Sequence, residues 1–213
     1  MLRRAGLSRR REREPQAPVV RYERQAPGER VHIDTQKLGR MGEPGHRVTG
    51  HRTHRSRGIG WEFAHVAIDD YSRTSLVTMV EDEGQDSAVA FLEQVVAHYR
   101  ACGIRVQRVM TDNGSACQSK AFDALCEALG IEHRLTRPKS PQTNGMVERF
   151  NGRLEQVLRS HHFNSAQDLA TTLHRYVWLY NEHLPQKALE HLTPLQARKR
   201  WRRSHPHLFS KPD

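Results

Sequence analysis

The chain has 213 residues, 36% of them apolar by a broad count, and a formal net charge of +10. That length suits one sizeable domain with appendages rather than two full domains joined by a long linker. No apolar run approaches the roughly 18 residues of a membrane span, and Met1-Leu2-Arg3-Arg4 opens no signal-peptide core, so membrane and secreted classes are disfavoured and a cytoplasmic setting is expected.

Cys102, Cys117 and Cys126 form no CxxC pair and cannot all pair with one another, which points to reduced thiols serving as core or surface residues. The charge is concentrated at the ends. Residues 1–30 carry nine Arg against four acids, residues 196–213 carry six Lys or Arg against Asp213, and residues 31–195 balance at 19 of each sign. Basic arms of this kind contact polyanions or merely keep a protein soluble, and charge alone leaves both readings open.

In chain order, residues 1–29 read as an extended basic arm, with Pro15, Pro18 and Pro27 interrupting any helix. Val31-His32-Ile33-Asp34 alternates as a first strand. Gly39 to Gly60 reads as a polar loop that interleaves Arg47, Arg52, Arg55 and Arg57 with His46, His51 and His54, without cysteine partners for a metal finger. Trp61 to Ile68 and Thr74 to Val80 read as two strands around an Asp69-Asp70-Tyr71-Ser72 turn. A helix is expected from Asp86 or Ser87 to Gly103, then a strand over Ile104 to Met110. A second helix capped by Ser119 should close at Gly130, and Ile131 to Thr136 should be the last strand. Arg137 to Thr143 reads as a basic loop. A third helix is expected from about Asn144 to His162, and a fourth after the Ser165-Ala166-Gln167-Asp168 capping pattern. Strands and helices in this order imply an α/β fold: a mixed sheet with helices on its faces.

Three acids stand out in this frame: Asp34 in the first strand, Asp112 at the end of the fourth, and Glu148 early in the third helix, with 35 residues between the last two. Carboxylates from distant segments can hold Mg²⁺ or Mn²⁺, which favour hard oxygen ligands and suit phosphodiester chemistry. The spacing alone is common. Asp112 in Asp-Asn-Gly also makes a turn, Glu148 also suits a solvated helix face, and Asp69 and Asp70 rival Asp34 as the first ligand.

The phrases around these acids carry more weight. His32-Ile33-Asp34-Thr35, Ile68-Asp69-Asp70-Tyr71-Ser72-Arg73, Thr111-Asp112-Asn113-Gly114 and the run Pro138-x2-Pro141-Gln142-x-Asn144-Gly145-x2-Glu148-Arg149-x-Asn151 together resemble the integrase catalytic core. That family includes retroviral-type integrases and the DDE transposases of bacterial insertion sequences. Tyr180-Asn181-x5-Lys187-Ala188-Leu189-x3-Thr193-Pro194 resembles the phrase that follows this core in the bacterial enzymes. The resemblance spans about residues 28–198.

It implies a ribonuclease H-like core over residues 30–163, preceded by the 1–29 arm and followed by a C-terminal helix and basic tail over 164–213. It makes Asp34, Asp112 and Glu148 both the catalytic and the metal-holding residues, with Mg²⁺ as cofactor and Mn²⁺ as a substitute. The implied activity is DNA cleavage followed by 3′-hydroxyl strand transfer; a nuclease without joining activity and a DNA-binding remnant are the alternatives. DNA, both element ends and target, would be the partner of a homo-oligomer working at the nucleoid. Candidate DNA contacts are Arg52, Arg55, Arg57, Arg137, Lys139, Arg149, Arg153 and Arg159. Two departures stand out. Leu184-Pro185-Gln186 replaces the usual Arg-Pro-His, and residues 1–30 hold no helix-turn-helix pattern of the sort that reads element ends.

Overall fold

A computed structural model describes residues 24–39, 61–136, 141–161, 163 and 165–208. Five strands form one sheet: β1 (Val31–Gly39), β2 (Trp61–Asp69), β3 (Ser75–Val80), β4 (Arg108–Thr111) and β5 (Glu132–Leu135), in the order β3-β2-β1-β4-β5. β1 and β2 are antiparallel, as are β2 and β3, whereas β4 runs parallel to both β1 and β5. β1 is therefore the middle strand. Its side chains alternate between two covered faces, and that alternation decides which helix each residue meets.

The helices are α1 (Gln85–Ala101), α2 (Lys120–Ala128), α3 (Pro141–Ser160), α4 (Ala166–His183) and α5 (Pro194–Ser204). On one face, Val31, Ile33, Ala67 and Val109 pack with Phe91, Leu92 and Val95 of α1 and Phe122 of α2. On the other, Leu38, Ala64, Val66 and Ile68 pack with Val147, Phe150 and Leu154 of α3 and Leu173 of α4. The expected mixed sheet with helices on both faces is thus observed. The boundary expected after residue 163 runs between two helices that share this second core. No helix among the described residues is long and apolar enough to cross a membrane.

Local signals set most helix ends. Ser119 accepts the Phe122 N–H to start α2, and Gly130 just beyond its end takes a left-handed φ of 65°. Ser165 accepts the Asp168 N–H to start α4. Three expectations need correction. The run from Ile104 is strand only over Arg108–Thr111, because Ile104 and Val106 are buried as packing residues before pairing begins. α3 begins at Pro141, inside the segment expected as loop; the fixed φ of proline suits a first helical position. The expected basic tail contains α5, opened by a capping box between Thr193 and Gln196 with Pro194 behind it.

The last residues of the expected N-terminal arm are also built into the body. Gly28 has a φ of 79°, its N–H donates to Asp69 Oδ1 at 2.7 Å, and a Cβ there would lie 2.2 Å from the Arg105 carbonyl oxygen. Only glycine fits. Arg30 Nε donates to Asp70 Oδ2 at 2.9 Å, and Arg73 Nη1 donates to Asp70 Oδ1 at 3.2 Å, with all three residues buried. Arg73 itself sits at φ 60°, a left-handed conformation that costs a non-glycine residue about 1–2 kcal/mol. Its guanidinium contacts with Asp70 and the Met146 sulfur help hold it there.

Candidate active site

Register brings two of the three acids side by side. Ile33 of β1 is paired in parallel with Thr111 of β4, so the next residues, Asp34 and Asp112, emerge together where β4 ends. Adjacent strands lie about 4.8 Å apart, within easy electrostatic reach. Asp34 pairs with Val66, whose side chain belongs to the α3–α4 face, so the pleat turns Asp34 toward α3. There Asn151 Nδ2 donates to Asp34 Oδ2 at 2.6 Å. Glu148 lies three residues before Asn151 on the same flank of the helix and is exposed.

The electrostatics link all three. The Asp34 carboxyl is pushed above its ordinary value, first by burial, then by the negative charge of Asp112, with a smaller push from Glu148. Hydrogen bonds from the Thr35 backbone and Asn151 act in the opposite direction. Asp112 Oδ1 accepts the Gly114 N–H at 3.0 Å, so the Asp-Asn-Gly turn is real and also fixes the carboxylate. Among the described residues, none of the three acids is ion-paired with Lys, Arg or His. Nor is any group of three or more His, Cys, Asp or Glu drawn tightly enough there to hold a metal ion. The acids are in mutual electrostatic reach rather than in a closed cage. Oxygen donors with surplus negative charge, one of them half-buried, fit a hard divalent cation.

The rival acids are spoken for. Asp69 is fully buried and accepts N–H groups from Gly28 and Ser72, at 2.7 and 2.6 Å, and Asp70 is clamped by Arg30 and Arg73. Both are structural. Sequence reasoning missed Cys117, buried beside the acids, whose thiol is pushed up to about 12 by burial and then by Asp112 and Asp34. No local signal in the sequence marks it. It stays neutral and is no competitor for a cation.

The candidate DNA contacts divide. Arg52, Arg55, Arg57, Arg137 and Lys139 lie outside the described residues. Arg149 Nε donates to the Gly145 carbonyl at 2.7 Å, Arg153 Nη1 donates to Gln186 Oε1 at 2.8 Å, and Arg159 pairs with Glu155 at 2.5 Å. All three are exposed, but Arg149 and Arg153 fall on the flank of α3 away from Asn151. Gln186, the departure in the tail phrase, is buried and anchors Arg153, which makes it a packing contact. Asn113 donates to the Thr136 carbonyl at 3.3 Å, a loop-holding role.

An integrase core domain signature matches residues 24–141, and a second integrase core domain signature matches residues 129–194. The chain belongs to the integrase core domain family. It is similar to an uncharacterized protein of insertion element IS476 from Xanthomonas euvesicatoria, 35% identical over 136 residues, which is 61% of this chain and 37% of that protein. It is also 27% identical over 119 residues to the Gag-Pro-Pol polyprotein of bovine leukemia virus, covering 55% of this chain and 8% of the polyprotein. The chain therefore spans about a third of one relative's length and under a tenth of the other's. Among solved structures, it matches a chain of the simian T-cell lymphotropic virus intasome with TM-score 0.64 and 22% identity, covering 87% of this chain and 60% of that one. The HTLV-2 integrase catalytic core domain in complex with magnesium matches with TM-score 0.58 and 18% identity, over 81% of this chain and 97% of that one. These structures share the ribonuclease H-like α/β fold.

Proposed function

We propose that this protein is a DNA transposase or integrase of the DDE type, with Asp34, Asp112 and Glu148 as its catalytic acids and Mg²⁺ as cofactor. One observation carries the reading. The Asp34 carboxyl, held by Asn151, is raised first by burial and then by the charge of Asp112, with a smaller push from Glu148, the two other acids that sequence spacing singles out. Its rivals Asp69 and Asp70 are consumed by the protein's own donors. Membership of the integrase core domain family supports the substrate class, and a magnesium complex of a protein with the same fold supports the cofactor.

Asp34, Asp112 and Glu148 would hold the divalent ions, which supply activation of the attacking hydroxyl and stabilisation of the departing oxygen in an in-line displacement. Asn151 keeps the Asp34 carboxylate oriented by donating to its Oδ2. The turn from Asp112 to Gly114 fixes the second acid at the strand end. Glu148, on a helix that enters from a separate segment, completes the set from the solvent side. Arg149, Arg153 and Arg159, with the basic Arg52, Arg55, Arg57, Arg137 and Lys139, would supply sequence-neutral affinity for phosphates. Joining two DNA ends to a target calls for more than one copy, so a homo-oligomer assembled on DNA, in the cytoplasm at the nucleoid, is part of the proposal.

The test is a labelled-end assay with Mg²⁺ or Mn²⁺. Joined product supports the transposase reading. Nicks without joining reassign the protein as a nuclease. DNA binding without any metal-dependent nicking reduces it to a binding remnant.

A further inference from the structure

Two pockets adjoin at Arg73 and Ala188, and one of them lies against α3 on the side away from Asn151. Met146, Arg149, Phe150 and Arg153 recur there at helical spacing, whereas Glu148 and Asn151 belong to the flank that meets Asp34. The first pocket, closed by Tyr180 and the segment after Gln186, carries Arg73, Arg149, Arg153 and Lys187 and no carboxylate. The second lies between the β2–β3 turn and α5, and carries Arg24, Arg73 and Arg200 against Asp70 and Glu190. Arg73 and Ala188 line both, so the two pockets make up a two-part groove.

The groove is strongly positive. Counting each residue once gives six cations against two carboxylates; Asp70 is matched by Arg30 and Arg73, Glu190 by Arg200 at 2.7 Å, and Arg24 is paired with Glu29 at 3.2 Å, which leaves Arg149, Arg153 and Lys187 as the surplus charge. It is also partly preorganised. Arg153 is held by Gln186 and lies over the Tyr180 ring, 5.9 Å from its centroid, and buried Arg73 is held by Asp70. Arg149, Lys187 and Arg200 remain exposed. Beyond Arg200 the charge continues along α5, which adds Lys199, Arg202 and Arg203 on exposed positions and holds no acidic residue.

We propose that this groove is a phosphate-backbone track for duplex DNA lying beside, not across, the catalytic acids. The proposal rests on the DNA-acting reading above and adds a location to it. A single small anion would call for donors converging on one point, whereas these cations are strung from α3 to α5. Planar guanidinium groups match phosphate oxygens in pairs, and the lining offers no deep apolar anchor for a folded protein partner. Arg149 of the track follows Glu148 directly on α3, about 100° further around the helix, so the track runs alongside the acids and the DNA held here flanks the strand that reacts.

The experiment is a salt titration of binding to a random-sequence duplex of about 25 base pairs, with EDTA present so that no metal chemistry intervenes. Lys187→Gln/Arg200→Gln should flatten the slope of log K against log salt by about 1 to 2, near one for each phosphate left without its cation. Arg149→Gln/Lys187→Gln, a second pair of exposed positions, should do the same. Arg134→Gln/Arg175→Gln removes equal charge at exposed positions outside both pockets and should keep the wild-type slope. The track is overturned if the groove pairs keep the wild-type slope, or if all three pairs flatten it equally. Absence of nicking by the wild-type protein in a parallel assay with Mn²⁺, with the slope difference intact, would instead count against the catalytic reading alone.

Discussion

Two acidic corners sit along the same middle strand, and they have opposite characters. At the start of β1, Asp69 and Asp70 are buried and satisfied by Gly28, Ser72, Arg30 and Arg73. A short way further along, Asp34 faces Asp112 and Glu148 with an amide as its side-chain partner and no ion pair among the described residues. One corner contains its own counter-charge and is architecture. The other accumulates negative charge that an incoming cation would relieve. Density of acids does not distinguish them; the supply of donors does.

The sharpest way to break this contrast is to neutralise each corner. Asp112→Asn or Glu148→Gln should reduce metal-dependent nicking and joining to background while leaving the circular dichroism spectrum and melting curve intact. A folded variant that still nicks would remove the acids from the chemistry. At the structural corner, Arg30→Ala should leave buried Asp70 with Arg73 as its one remaining partner and cost about 3 kcal/mol in urea unfolding. A loss under about 1 kcal/mol, the range of a surface pair, would mean that the clamp does not organise this corner.

Histidines give the comparison a pH axis. His32 and His65 are buried, and burial is the main reason that each is lowered to about 4 from an ordinary 6.5. Between those values the unfolded chain binds protons that the folded one refuses. Stability is therefore complete above pH 6.5 and falls as the pH drops toward 4, by at most about 3 kcal/mol per histidine. Asp34, raised from 3.8, and Asp69, raised from 3.8 to about 6, both chiefly by burial, work in the opposite direction, losing stability as the pH rises from 3.8 through the folded values. Unfolding midpoints taken from pH 7 to 4 should fall, and His65→Phe, which keeps a ring to stack on Phe91, should flatten part of that fall. A His65→Phe profile identical to that of the wild type would refute the buried neutral histidine.

A smaller effect concerns Asn151. Asn151→Ala should lower turnover about 10- to 100-fold, with Asp34 no longer oriented, and should shift the metal concentration needed for half-maximal rate upward. Unchanged metal dependence would assign Asn151 to packing alone. Smallest of all, Asp34→Asn should raise the melting temperature by a few degrees without metal, since it removes a half-buried charge repelled by two neighbours.

Much of this was legible from residues alone. Alternation marked β1 and its Asp34, Ser119 and Ser165 marked helix starts, and the phrases around Asp112 and Glu148 marked the family. These are local or ordered signals, carried by side-chain period and by hydrogen bonds to nearby backbone. Less legible were α5, hidden beneath a run of basic residues that reads as a tail, and the start of α3 at Pro141. Propensity and charge there favoured loop, whereas a cap at Thr193 and the tolerance of a first turn for proline favoured helix.

The sequence by itself determined the acids, their order and the alternation that gives Asp34 its face of the sheet. Only the tertiary structure decided which acids meet donors and which meet one another, because β1–β4 register and the approach of α3 join residues far apart along the chain, Asp34 and Asn151 among them. The same packing turned Arg149 and Arg153 to the flank opposite Asn151 and set Arg73 between two pockets. Charge is written in the chain, but its neutralisation depends on distance, and distance is a property of the fold.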